Sequence, residues 1–184
     1  MDNGQSCYSR YLSGDDLAMT ELVCSYKDGL TMYLCSIVGD LGEAEDLTEE
    51  TFFRLAYKKP RFSGRSTFKT CLYSIGRNLA LDSLRRKPKA LRAGAAESLD
   101  IAGDEDIEAN YLREEQRIAV HRALRKLRPE YRQAVCLVYL EGFKVSDAAA
   151  VMGKSSRQMT NLLYQAKKAL KTELEKEGIF HAGL

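Results

Sequence analysis

Apolar residues recur every three or four positions through most of the chain, and no stretch shows the two-residue alternation of a half-buried strand, so the pattern predicts an all-α fold. Phe68, Leu72, Ile75 and Leu79 predict one buried stripe on a helix capped by Ser66. The opposite face of that helix carries Lys69, Tyr73 and Arg77, and its flank carries Asn78, Asp82 and Arg85, spaced as surface neighbours. Upstream, Glu43 to Tyr57 predicts a helix with Ala44, Leu47, Thr51 and Leu55 inward and Asp46, Glu49 and Glu50 outward. Pro60 ends it, because proline disfavours helix in the residue before it.

The C-terminal third has clearer punctuation. Pro129 opens a helix at its favoured first position, and Gly142 follows that helix. Ser146 is expected to cap a short helix ending at Gly153, and Ser155 with Gln158 has the spacing of a capping box that opens a long last helix. On this last helix Met159, Leu163, Ala166, Leu170 and Leu174 form the core stripe, while Arg157, Asn161, Tyr164, Lys168 and Lys171 lie opposite.

Composition alone suits one large or two small domains: the chain has 184 residues, 45% of them hydrophobic. Charge distribution favours two. The formal net charge of +2 conceals acidic and basic blocks: Met1 to Phe53 sums to −9, while Arg54 to Arg92 holds 12 basic residues against one acidic. Ala93 to Asn110 has six acidic residues and no basic one, and Tyr111 to Leu184 is basic again at +6. Two basic blocks around an acidic, Ala- and Gly-bearing segment predict two small helical domains, 8–92 and 111–178, joined by a flexible acidic linker, 93–110. A surface that binds phosphates needs one sign of charge, which a mixed solvated face does not supply.

The five cysteines stand far apart, without a CxxC pair, and only His121 and His181 could add to a zinc site. They are read as reduced, buried thiols, and no metal or cofactor is expected. With no signal sequence and no apolar run of membrane-spanning length, the chain is expected in the cytoplasm and not inserted in a membrane.

Two short helices meeting at Gly153, with Ala149 before the glycine and Met159 and Leu162 after it, have the spacing of a helix-turn-helix. Arg157, Thr160 and Asn161 would then lie where side chains reach base edges, with Lys167, Lys168 and Lys171 nearer phosphates, and Ser156 and Tyr164 join them as DNA-binding candidates. A helical hairpin in a bundle that binds nothing is the plainer alternative. Enzyme chemistry finds little support. Glu49 and Glu50 are adjacent and point about 100° apart on a helix, so they do not converge on one atom. The GKS at Gly153 lacks the earlier glycine of a phosphate loop, Ala148 standing there. Neither histidine has a matching nucleophile, and no small-molecule substrate is implied.

Three segments, in order, carry a resemblance: GEAEDLTEETFFRLAYK (Gly42 to Lys58), FSGRSTFKTCLYSIGRNLALDSLRR (Phe62 to Arg86) and LRPEYRQAVCLVYLEGFKVSDAAAVMGKSSRQMTNLLYQAKKAL (Leu127 to Leu170). Together they resemble the bacterial sigma factors of the extracytoplasmic-function type, within the sigma-70 superfamily. The resemblance covers roughly Tyr8 to Gly178 and implies a region 2 and a region 4, a non-catalytic specificity subunit, and core RNA polymerase and promoter DNA as partners. It also implies an anti-sigma factor. By position, Asp46, Glu49, Glu50 and Phe53 match the segment that docks on the polymerase's largest subunit. Phe62, Ser66, Phe68, Lys69, Tyr73, Arg77, Asn78, Asp82, Arg85 and Arg86 fall in the part that opens and reads the minus-ten element, where basic groups hold phosphates and aromatic groups accept unstacked bases. Phe68 also belongs to the apolar stripe, which favours core packing for it. The helix from Ser155 matches the reader of the minus-thirty-five element.

This chain departs from the family pattern at Cys71, commonly tryptophan, at Ser74, often arginine, and along Ser156 to Leu162, where two basic residues are missing and Arg157 is gained. Promoter preference is expected to differ accordingly. A stand-alone helix-turn-helix regulator explains the C-terminal block equally well but leaves the acidic motif and Phe62 to Arg86 without a role.

Overall fold

A computed structural model describes residues 3–60, 66–87 and 119–177. The described residues are built of helices, as the periodicity predicts. Phe62, the acidic segment 93–110 with its flanks, and His181 lie outside the described residues.

Helix α1 (Asn3–Leu12) is pinned to the far end of α3 (Leu41–Lys58) by two tyrosines, whose hydroxyls donate to carbonyls: Tyr8 to Pro60 at 3.1 Å and Tyr11 to Ala56 at 3.3 Å. Between them runs α2 (Asp16–Val38), with Leu22, Leu30, Leu34 and Val38 buried along its length. Asp40 caps α3 by accepting from the Glu43 amide at 2.8 Å, so the helix starts at Leu41, two residues before the expected Glu43. The predicted inward set holds: Ala44, Thr51 and Leu55 are buried and Leu47 packs partly against the core.

Helix α4 (Phe68–Arg86) starts from Thr67, not Ser66. The Thr67 hydroxyl accepts from the Thr70 amide at 3.1 Å, while Ser66 sits one residue too early and places its hydroxyl 3.0 Å from Cys71 Sγ. Helix α5, described over 119–126, leads into α6 (Pro129–Val135), which has proline in its first turn as expected. A π-helical turn over Cys136–Leu140 then precedes Gly142, whose φ of 67° is the left-handed conformation that favours glycine.

Helix α7 (Val145–Met152) begins two residues before the expected position: Lys144 is its N-cap in place of Ser146, without a side-chain hydrogen bond, and Ser146 falls inside the first turn. Gly153 closes it at φ 64°. Helix α8 (Ser156–Lys176) opens with the predicted capping box, the Ser155 hydroxyl accepting from the Gln158 amide at 3.2 Å and Gln158 Oε1 accepting from the Ser155 amide at 2.8 Å.

Helices from both halves share one hydrophobic cluster: Leu30, Leu34 and Leu72 belong to it together with Leu137, Ala149 and Met159. Helix α4 lies against α7, and α2 against α6. A smaller cluster of Ala123, Leu124, Leu127, Val135, Ala166 and Leu170 ties α5, α6 and α8. None of the five cysteines forms a disulfide; Cys7, Cys35 and Cys136 are buried and Cys71 is half-buried. Cys24 is exposed, contrary to the reading of all five as buried, because its face of α2 turns outward.

Candidate nucleic-acid interface

Helix α8 presents the polar face that its pattern predicts. Met159, Leu163, Ala166 and Leu170 are buried, which turns Ser156, Arg157, Thr160, Asn161, Tyr164, Lys167, Lys168 and Lys171 to solvent together. The glycine turn before it lets Met152 and Met159 both bury, so the short α7 braces the N-terminal end of α8 against the core. The Thr160 hydroxyl donates back to the Ser156 carbonyl at 3.0 Å, and the Lys167 ammonium stands 5.0 Å from the centre of the Tyr139 ring. Three cations and an exposed tyrosine on one helix face form a surface suited to a phosphate backbone, with Arg157 and Asn161 at the end able to contact base edges.

Helix α3 carries a face of opposite sign. Asp46 and Glu49 are exposed, and Glu50 is half-buried, where its carboxylate accepts from Arg54 Nε at 2.7 Å. Phe53, 63% exposed, stacks on Tyr57, 79% exposed, with ring centres 6.0 Å apart and planes 9° from parallel. Tyr57 was missed by the sequence reading, though its place four residues after Phe53 on an outward face was a usable signal. Two large aromatic rings flanked by carboxylates form an apolar anchor with an acidic rim, the anatomy of a protein-binding surface.

Helix α4 is divided. Asn78, Asp82, Arg85 and Arg86 are exposed, Asp82 accepting from Arg85 Nη1 at 3.1 Å. Phe68 is buried, packed 5.4 Å from the Tyr8 ring and 5.5 Å from the Tyr26 ring, so its place on the apolar stripe decides its role here. Tyr73 is fully buried, on what the periodicity marks as the polar face. Its ring meets Tyr33 at 5.4 Å and the edge of Phe143 at 5.0 Å, and its hydroxyl donates to the Glu141 carboxylate. Burial, with Glu141 beside it, pushes the Tyr73 hydroxyl far above its ordinary pKa, so it remains a donor at any physiological pH. Lys69 is half-buried over the Phe143 ring, and Arg77 donates from Nε to Gln133 Oε1 at 3.3 Å. Ser66 is half-buried before the helix.

Where the two halves meet, a cleft of 610 Å³ opens between α2, α4, α5 and α6. Arg77, Arg85, Arg125 and Arg132 line it, with Glu130 the one acidic residue of the lining among the described residues. The structure thus brings Arg77 and Arg85 together with arginines of the C-terminal half that sequence spacing did not associate with them.

Two family descriptions match the chain in order: Sigma-70 region 2 over residues 22–89, and Sigma-70, region 4 over residues 117–170. The two matches therefore mark a sigma-70-class protein, a class of RNA polymerase specificity subunits that are generally non-catalytic. The ECF RNA polymerase sigma factor SigC of Mycobacterium tuberculosis is 32% identical over 145 residues, covering 77% of this chain and 76% of SigC. BldN of Streptomyces coelicolor, also an ECF RNA polymerase sigma factor, is 33% identical over 164 residues, 88% of this chain, which spans 62% of BldN. The chain belongs to the ECF RNA polymerase sigma factors.

Two solved structures share its fold. CnrH, in complex with the cytosolic domain of CnrY, superposes with a TM-score of 0.68 at 21% identity, covering 95% of this chain and 99% of CnrH. The sigma factor RpoE of Bartonella quintana, in complex with the anti-sigma factor NepR, gives 0.67 at 23% identity, covering 85% and 96%. No described helix is long and apolar enough to cross a membrane.

Proposed function

We propose that this chain recruits core RNA polymerase to a two-part promoter in the cytoplasm, without catalysing a step itself. The outer face of α3 docks on the polymerase, with Phe53 and Tyr57 as the apolar anchor and Asp46, Glu49 and Glu50 as the acidic rim. Helix α8 enters the major groove of the duplex minus-thirty-five element, Arg157, Thr160 and Asn161 reaching base edges while Lys167, Lys168 and Lys171 hold phosphates. Phe62 to Arg86 takes the melted minus-ten strand, with Lys69, Arg77, Arg85 and Arg86 on phosphates. Residues 8–92 and 111–178 act as the two functional units, and 93–110 connects them.

The observation that carries this reading is the face of α8, where all eight candidate residues are exposed together on a helix braced by a glycine turn. The anti-sigma protein in complex with the RpoE neighbour supports a partner of that class for this chain too. Run-off transcription of fragmented genomic DNA by purified bacterial core polymerase, with and without the protein, tests the proposal. New start sites sharing two upstream motifs are expected. No new starts, together with tight DNA binding by the protein alone, would replace it with a stand-alone regulator.

A further inference from the structure

The cleft where the two halves meet is walled by cations of a single kind. Arg77 and Arg85 come from α4, Arg125 from α5 and Arg132 from α6, and no lysine lines it among the described residues. Among those residues no carboxylate pairs with Arg77, Arg125 or Arg132. Arg77 donates from Nε to Gln133 Oε1 at 3.3 Å, while Arg132 donates from Nε to the Ser36 carbonyl at 2.7 Å and from Nη1 to the Arg125 carbonyl at 3.4 Å. These neutral acceptors hold two guanidinium planes in place and leave further N–H groups for another acceptor. The carboxylates at hand are engaged: Glu130 accepts from Lys154 at 3.4 Å, and Asp82 accepts from Arg85 at 3.1 Å. Burial, with Arg125 alongside, holds the Arg132 guanidinium below its ordinary pKa. Much of the remaining wall is apolar, with Leu81 and Leu84 of α4 on one side and Leu127 and Pro129 on the other.

We propose that this cleft is a binding site for a nucleoside polyphosphate, with its phosphates on the guanidinium groups of α4, α5 and α6 and its ring on Leu81, Leu84 and Leu127. A volume of 610 Å³ suits a small molecule, and such sites combine an apolar lining with a few placed polar groups. The planar fork of arginine takes two phosphate oxygens at once, and a chain of phosphates lets one ligand meet several forks. Its negative charge also offsets the repulsion among arginines that share one cleft. Helix α8 is built differently, with its lysines along an open helix face that follows the length of a duplex backbone. The site goes beyond the promoter reading and does not rest on it. Arg77 serves in both, so the test is placed on Arg125, which has no part in that reading.

Isothermal titration calorimetry of the full chain with ATP and with inorganic tripolyphosphate tests the site. Magnesium-free buffer at about 150 mM salt screens attraction to exposed charges. ATP is expected to bind saturably, and tripolyphosphate several-fold more weakly, because it leaves the leucine wall uncovered. Arg125→Gln should weaken ATP binding about tenfold, and Arg125→Lys, which keeps the charge and loses the fork, should weaken it less. Both variants retain the backbone carbonyl that holds Arg132, and circular dichroism verifies that they are helical. Lys168→Gln, on the α8 face, should bind ATP as the wild type does. No binding of ATP by the wild type, or Arg125→Gln binding it equally well, would overturn the site. A loss in Lys168→Gln as large as that in Arg125→Gln would move the anion to α8 and overturn it too. Tripolyphosphate binding as tightly as ATP would overturn the role of the leucine wall. None of these readouts uses DNA or polymerase, so failure of this site and failure of the promoter reading are separate results.

Discussion

The Thr31 hydroxyl on α2 donates to the Thr48 hydroxyl on α3 at 2.9 Å, and Thr48 in turn donates to the Ala44 carbonyl at 2.8 Å, all within the core. Thr48→Val removes the acceptor and strands the Thr31 donor. It should cost about 1–3 kcal/mol in urea unfolding. The double change Thr31→Val with Thr48→Val should cost less than the single one, because no polar group is then left without a partner. A double variant weaker than Thr48→Val would show that shape, not the hydrogen bond, matters at this contact.

Thiol reactivity should follow burial. In the native protein a thiol-specific disulfide reagent should label Cys24 first and Cys71 more slowly. Burial pushes the Cys35 thiol up to about 11 and Cys136 up to about 12, so neither forms thiolate near neutral pH. Both should react only after denaturant is added, as mass spectrometry of labelled peptides can check. Rapid native labelling of Cys136 would mean that the contact between α2 and α6 opens readily.

The turn between α1 and α2 should weaken in acid. Arg10 bonds Asp15 through Nε at 2.9 Å and Glu21 through Nη1 at 3.0 Å, and this hydrogen bonding holds both carboxyls below the ordinary range. A depressed folded pKa contributes stability above the unfolded value of about 4 and loses it as pH falls through the folded one. In a carboxyl NMR titration, Arg10→Ala should raise both pKa values toward the ordinary range. Unchanged midpoints would remove Arg10 as the cause.

The two ends of the α8 face should separate in their effects on promoter binding by the holoenzyme. Asn161→Ala should alter sequence preference at the upstream element. Lys168→Ala should weaken all promoters alike and lower the slope of log affinity against log salt by about 1. If both changed preference in the same way, the boundary between base-reading and phosphate-holding residues on α8 would be misplaced.

Local chemistry was the legible part of this fold. Pro129, the capping pair Ser155 and Gln158, and the stripe from Met159 to Leu170 act within one or two turns of helix, and each behaves as its residue type requires. Ser66 lost the cap to Thr67, one residue on, and Ser146 to Lys144, two residues back, since a shift of one or two residues changes little in the periodic pattern. Tyr73 illustrates the deeper limit. Periodicity identifies the face that one partner covers, but α4 is covered on a second side by Glu141 and Phe143, some 70 residues further along the chain. On the α8 and α3 faces, where no second partner packs among the described residues, exposure agrees with the pattern; on α4, where one does, it does not.

Between Gln133 and Glu141 the backbone uses one residue more than a regular helix needs. The Glu141 amide donates to the Cys136 carbonyl, five residues back, at 2.9 Å. Each residue of an α-helix turns the chain by about 100°. Deleting one residue here would let the strand of carbonyls and amides regularise, yet would swing position 141 more than a quarter-turn away from Tyr73. Spacing, then, is under tighter constraint than side-chain identity in this stretch. Conservative substitutions between Cys136 and Leu140 should be tolerated far better than any change in their number.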